Sequence, residues 1–158
     1  MSIAVRRATL DDLETVRSIG TATYPMHGTF AGSDYVEAGL WKWWSIDAVR
    51  RSIVSSTTYL AIDQDAAVGT ATVGTLDGEP ILWKLYVLPI AQGVGTGSAL
   101  LSAAIADLPA GSRRLLLEHA EGNDQAATFY LYKGFTELER TEPHSGAGPR
   151  DVWMALEL

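Results

Sequence analysis

Apolar residues recur along the chain with two periods, and the switches between those periods mark out strands and helices in alternation. Ile3 to Arg7 reads as a short first strand. Leu10, Leu13, Val16 and Ile19 then recur at three-residue steps that keep one helical stripe, which predicts a helix beginning near Leu10 that packs on a sheet. Thr9 and Asp12 stand ahead of it at capping-box spacing, with aspartate in place of the usual glutamate. From Thr21 to Ser45 the pattern loosens. Pro25, Gly28, Gly32 and Gly39 interrupt a stretch carrying Tyr24, His27, Phe30, Tyr35, Trp41, Trp43 and Trp44, which reads as a loop with short helical pieces. Ser45 is placed to cap a helix whose Ile46, Val49 and Ile53 share one face.

Strand-like residues return from Thr57 to Ile62. Ala66 to Leu76 and Ile81 to Leu88 are rich in β-branched and aromatic residues, with the turn signal Asp77-Gly78 between them, so an antiparallel meander is expected. After Pro89 a glycine-punctuated loop leads into a helix with Leu100, Leu101, Ala104, Ile105 and Leu108 on one face, stopped by Pro109 and Gly111. Arg113 to His119 reads as a buried strand. Asn123 caps a helix to about Lys133, Gly134 is its left-handed end, and two strands follow near Phe135 to Glu142 and Asp151 to Leu158. The element order gives a mixed α/β (α+β) fold with a mostly antiparallel sheet. No repeat or linker divides it, so residues 1–158 are expected to form one domain.

Composition narrows the function. A chain of 158 residues is long enough for one core. Its 12 basic and 19 acidic residues give a net charge of −7, and the arginines are scattered, which argues against a nucleic-acid-binding face. An amine or cationic partner suits this balance, although acidic surfaces more often serve solubility alone. The lack of cysteine excludes disulfides, thiolate zinc sites and a thiol nucleophile. His27, His119 and His144 show no metal-ligand spacing, so no metal site is expected. No apolar run reaches the length of a membrane span, so no membrane association and a cytoplasmic location are expected.

The most informative segment runs from a strand into Gln92-Gly93-Val94-Gly95-Thr96-Gly97 and then directly into an amphipathic helix. Glycines let the backbone curl there, and the first N–H groups of a helix have no partners within it. With the helix macrodipole they form a seat for an anionic phosphate, although a glycine-rich turn without a ligand fits the bare pattern equally well. A dinucleotide fingerprint starting at Gly93 would need glycine or alanine where Ser98 stands, and the lysine of a P-loop is missing.

The segment resembles the acyl-CoA loop of the GNAT superfamily of N-acetyltransferases, Gln/Arg-x-x-Gly-x-Gly/Ala after a Leu-Tyr-Val-like strand end. Gln92, Gly95 and Gly97 fill that form behind Leu85-Tyr86-Val87. The run Asn123 to Phe135, with Ala126, Phe129, Tyr130 and Gly134, is similar to the family's Asn-x-x-Ala-x-x-Phe-Tyr-x-x-x-Gly-Phe segment. The resemblance implies acetyl-CoA as cofactor and a splayed strand pair that admits the pantetheine arm. Main-chain groups of Leu85, Tyr86 and Val87 would bind the arm's amides, the amides from Gly93 to Ser98 its diphosphate, and Asn123 the arm itself unless it is only a helix cap. Thr96 departs from the usual aliphatic residue, and the Arg or Lys often found at positions 93 and 94 is missing.

Acyl transfer to an amine needs a neutral nucleophile, stabilisation of the oxyanion and a proton for the departing thiolate. By resemblance Tyr130 is the acid, its other reading being helix packing beside Phe129. Glu118, at the end of the apolar run Leu115 to Leu117, is the candidate base, with a water chain or a plain strand-end carboxylate as alternatives. His119 should point to the opposite face of the strand. The region from Tyr24 to Trp44 stands where the family places its acceptor site, so Tyr24, His27 and Trp41 are the candidate substrate contacts; Trp41 and Trp44 also fit helix packing or a dimer surface. The expected function is acetyl transfer to a primary amine of a small molecule or peptide, with a homodimer as a further option. The alternative is a non-catalytic acyl-CoA sensor or interaction module.

Overall fold

Strands rich in Val, Ile, Thr and aromatic residues pair into one sheet, and the apolar stripes between them form helices that cover its two faces. The structure, a computed structural model, describes residues 2–143 and 147–158. Strands β1 (Ile3–Arg7), β2 (Thr57–Asp63), β3 (Ala66–Leu76), β4 (Glu79–Val87), β5 (Arg114–Ala120), β6 (Thr136–Thr141) and β7 (Asp151–Glu157) lie in the order β1-β2-β3-β4-β5-β7-β6. Neighbours are antiparallel except β4 and β5, which run parallel. The mixed architecture expected from the element order is thus observed, with boundaries moved by one or two residues.

Helices α1 (Leu13–Thr23), α3 (Ser33–Trp44) and α4 (Ile46–Val54) pack over one face, with the short α2 (Gly28–Ala31) beside them. There Val16, Ile19, Trp44 and Val49 close over Leu60. On the other face α5 (Thr96–Ala106) and α6 (Asp124–Tyr132) bring Leu100, Leu101, Ala104 and Tyr130 against Leu115, Leu117 and Met154. Each large apolar side chain buried this way contributes about 1.5–3 kcal/mol.

Two local readings change. The first helix opens with a 3-10 turn over Leu10–Asp12, in which the Thr9 N–H donates to Asp12 Oδ2 at 2.8 Å as the capping box requires. The stretch expected to be a loop with short helical pieces contains the continuous helix α3. Gly39 does not break it, because the missing side chain is where the Tyr24 ring lies: a methyl there would overlap the Tyr24 hydroxyl. Tertiary packing overrides the cost of a mid-helix glycine, about 1 kcal/mol. Gly20 of α1 receives the Trp44 ring in the same manner.

The feature that positions the site is in β4. Thr72 faces Lys84 while Val73 faces Leu82, so Trp83 is an extra residue and β4 is bulged there. On its other side β4 pairs with β5 only through Ile81 with Leu116 and Leu82 with Leu117. Beyond the bulge the two strands part, giving the splayed pair.

Lys84 follows the bulge and is 6% exposed. Its Nζ donates to the Trp43 carbonyl at 2.6 Å and the Ser52 hydroxyl at 3.2 Å and lies 4.2 Å above the Trp44 ring, tying the α3–α4 junction to the sheet. Burial, with a smaller contribution from Arg51, lowers its pKa to about 8.

Two consequences can be measured. Gly20→Ala should lower unfolding free energy by about 3 kcal/mol, the upper end for overpacking, in urea melts. Between pH 8 and its usual value near 10.5, Lys84 releases its proton in the folded state while the unfolded chain still holds it, so stability rises with pH across that window. From about pH 7.5 to 9.5 wild type should gain on the order of 2 kcal/mol more than Lys84→Met, tyrosine titration cancelling in the difference.

Candidate active site

The glycine loop takes the shape its sequence demands. Gln92 is extended, Gly93 (φ +76°) and Gly95 (φ +91°) are left-handed, and α5 starts at Thr96. Nothing lies within 4 Å of where a Cβ would sit on either glycine, so backbone conformation and not crowding selects glycine there. Ala99 is the first amide of α5 to reach a main-chain carbonyl, Gly95 O at 2.9 Å. Among the described residues the amides from Gly93 to Ser98 have no such acceptor. The Thr96 hydroxyl is also buried without a partner. Six consecutive donors at the positive end of a helix fit a diphosphate.

The loop adjoins the parted strands. The Leu88 N–H donates to Val68 O at 2.8 Å, so by the two-residue alternation of an antiparallel ladder the main-chain groups of Leu85 and Val87 face the edge that β5 has left. Gln92 Nε2 donates to the Val87 carbonyl at 2.9 Å, and Gln125 Nε2 donates to Gln92 Oε1 at 3.2 Å. Loop, strand end and α6 are thereby tied together. A cleft of about 580 Å³ runs along them, lined by Leu85, Tyr86, Val87, Gln92, Gly93, Gly95, Thr96, Gly97, Ser98 and Asn123. Of the expected cofactor contacts only Val94 does not line it; that side chain is 50% exposed. Sequence reasoning missed Met26, Tyr132 and Lys133, which line its walls without a motif to mark them. Phe129, quoted only as a motif residue, lines it too, and Gly97 admits its ring: a methyl there would lie 3.3 Å from it. The donor seat, the free strand edge and the volume of the cleft fit a coenzyme with a diphosphate and an amide-bearing arm.

A second hollow, of about 110 Å³, opens on the other side of the gap. Tyr24, Tyr35, Trp43, Trp83, Glu118 and Asp151 are among its walls. His27, Leu85, Tyr86, Asn123, Ala126 and Tyr130 line both hollows, which therefore meet there. Tyr130, 8% exposed, packs edge-on to Phe129 and Phe135 and stacks on His119 with ring centres 6.4 Å apart. Burial pushes its phenol pKa well above the usual value, so the hydroxyl is protonated at neutral pH.

On β5 the side chains alternate as expected. His119 shares the α6 face with Leu115 and Leu117, whereas Glu118 is directed to the opposite face, near Tyr35. Asn123 does act as a helix cap, its Oδ1 accepting from the Ala126 N–H at 3.2 Å, while also lining both hollows. Tyr24 and His27 are 4% and 5% exposed, and Tyr24 stacks on Tyr35 at 6.3 Å. Trp41 is not brought to the site. It is 78% exposed on α3, whereas Trp44, three residues on, is taken into the core where its ring packs against Gly20 of α1. His144 lies outside the described residues, and among those residues no group of side chains is arranged to hold a metal ion.

The sequence profile of the acetyltransferase (GNAT) domain matches residues 55–137. No curated protein matches the sequence. Among solved structures, the chain is similar to a PaiA N-acetyltransferase from Thermoplasma acidophilum in complex with coenzyme A, with TM-score 0.85 and 19% identity over 100% of both chains. It is similar to a GCN5-related N-acetyltransferase from Rhodopseudomonas palustris, with TM-score 0.86 and 22% identity over 100% of this chain and 97% of the other. The ribosomal-protein-S18-alanine N-acetyltransferase from Escherichia coli gives TM-score 0.72 and 21% identity over 99% and 94%. At these identities the structures speak for the fold, and the profile match, which spans more than half of the chain, carries the family. The chain belongs to the GNAT superfamily of acetyltransferases, with acetyl-CoA as its cofactor.

Proposed function

We propose that this protein is an N-acetyltransferase that passes the acetyl group of acetyl-CoA directly to a primary amine of a small molecule or peptide. The observation that carries this reading is the meeting of the two hollows at Tyr130, in the gap between β4 and β5. When bound, acetyl-CoA supplies a thioester whose carbonyl carbon is open to attack by an amine. The amides from Gly93 to Ser98 hold the diphosphate, and the main-chain groups of Leu85 and Val87, with Asn123, align the arm along the strand edge. Tyr130, kept protonated by burial, gives its hydroxyl proton to the departing sulfur. Glu118 removes one proton from the arriving ammonium ion, and Tyr24 and His27 form the acceptor wall.

The 110 Å³ hollow suits the amine-bearing end of an acceptor and not a bulky body. The whole chain acts as one catalytic unit in the cytoplasm; it lacks cysteine, and no described helix is long and apolar enough to cross a membrane. A homodimer belongs to the same reading, Trp41 offering an exposed apolar contact.

The test is release of free CoA thiol from acetyl-CoA over a panel of amines, peptides and aminoglycosides, with phenethylamine, an alanyl peptide and kanamycin among them. Tyr130→Phe should lower kcat about 10- to 100-fold and leave the CoA dissociation constant within twofold. Unchanged turnover would remove Tyr130 from its role, and CoA binding without turnover of any amine would favour a sensor module. Gly95→Ala should lose about 1–2 kcal/mol in stability through its left-handed backbone and weaken CoA binding about tenfold, read by urea melts and calorimetry.

A further inference from the structure

We infer that His27 accepts, through Nε2, the proton that the acceptor nitrogen sheds as it bonds to the acyl carbon. The inference rests on the acetyl-transfer reading above and adds the group that its proton inventory lacks. An ammonium acceptor must lose two protons to become an amide. Glu118 takes the first, but Glu118 lines only the acceptor hollow and not the cofactor cleft. The second proton leaves while the nitrogen is at the acyl carbon, where the two hollows meet. Of the protein's described imidazoles, only His27 lines both.

The ring is set for this role by its surroundings. Nδ1 lies 2.7 Å from the Tyr24 carbonyl. A carbonyl only accepts, so Nδ1 carries the hydrogen and the lone pair of the neutral ring is on Nε2. Among the described residues Nε2 has no partner, yet it is not sealed from the cavity, whereas His119 Nε2 is buried without a partner and its ring is stacked on Tyr130. Phe30, Tyr24, Tyr35 and Tyr86 surround the His27 ring at centroid distances of 4.4–6.0 Å. Burial raises the pKa of all three phenols and lowers that of His27, so all four groups are neutral near pH 7. The other titratable groups are Lys84, Glu118, His119, Tyr130 and Asp151 around the acceptor hollow, and Tyr132 and Lys133 around the cleft.

The balance closes. The nitrogen lone pair forms the bond to the acyl carbon, the carbon–sulfur bond breaks, and its electron pair leaves on sulfur. The nitrogen's proton goes to His27 and the Tyr130 proton to sulfur. One proton then returns through solvent from imidazolium to phenolate, so only the proton taken by Glu118 is released overall.

His27→Asn tests this, because an asparagine amide can still donate to the Tyr24 carbonyl while offering no base at the Nε2 position. With phenethylamine, an alanyl peptide and kanamycin as acceptors, kcat/KM should fall about 100-fold, with the CoA dissociation constant within twofold and the acidic limb of the pH profile displaced. His27→Gln should show the same loss and stands in if the asparagine variant does not fold. Independently of turnover, ¹⁵N NMR of the wild-type imidazoles should show His27 protonated at Nδ1 and bare at Nε2. Activity within threefold of wild type in a folded variant, or the Nε2-protonated tautomer, overturns the His27 role alone. Failure of the wild-type protein to release CoA with any of the three amines overturns the acetyl-transfer reading and this role together.

Discussion

The extra residue in β4 is the constraint on which the rest of the molecule depends. At the bulge that Trp83 makes, β4 keeps its long ladder with β3 while giving up β5 after two residue pairs. A parallel pair parted in the middle of a sheet exposes main-chain donors and acceptors that the fold would otherwise satisfy itself. The residues that carry those groups line the cleft. The cleft and the smaller hollow are the two mouths of this one discontinuity, which is why they meet inside a single small sheet.

Each end of the gap is held open by a different kind of contact. On the side of α5 and α6 the clasp is polar, from Gln125 through Gln92 to the Val87 carbonyl. On the other side it is a buried ammonium: Lys84 binds the end of α3 and the body of α4 through the Trp43 carbonyl and the Ser52 hydroxyl. A charge held by a carbonyl, a hydroxyl and an aromatic face carries a desolvation cost, and burial accordingly lowers its pKa. The residue following the bulge thus also ties the α3–α4 junction to the sheet.

Much of this was legible in the sequence because the informative stretches are local. Period-two runs, the Asp77-Gly78 turn and the cap residues Ser45 and Asn123 each need only near neighbours to act, and each produces its element. The two motifs placed the expected cofactor contacts along the cleft apart from Val94. What could not be read was non-local. Gly39 looks like a breaker until the Tyr24 ring is seen to occupy the space it leaves. Trp41 and Trp44 look equivalent until Gly20 of α1 is seen to receive only the Trp44 ring, and the burial of Lys84 rests on partners from the distant α3 and α4.

The Val87 carbonyl holds one further consequence. Its oxygen has two lone pairs and Gln92 occupies one, so an amide of an incoming coenzyme can use the other while the glutamine stays in place. On the proposed seating of the coenzyme, its entry would require no local unlatching, and little of the interaction free energy would be diverted into ordering the protein. On that seating the strand edge stands assembled before the pantetheine arm arrives.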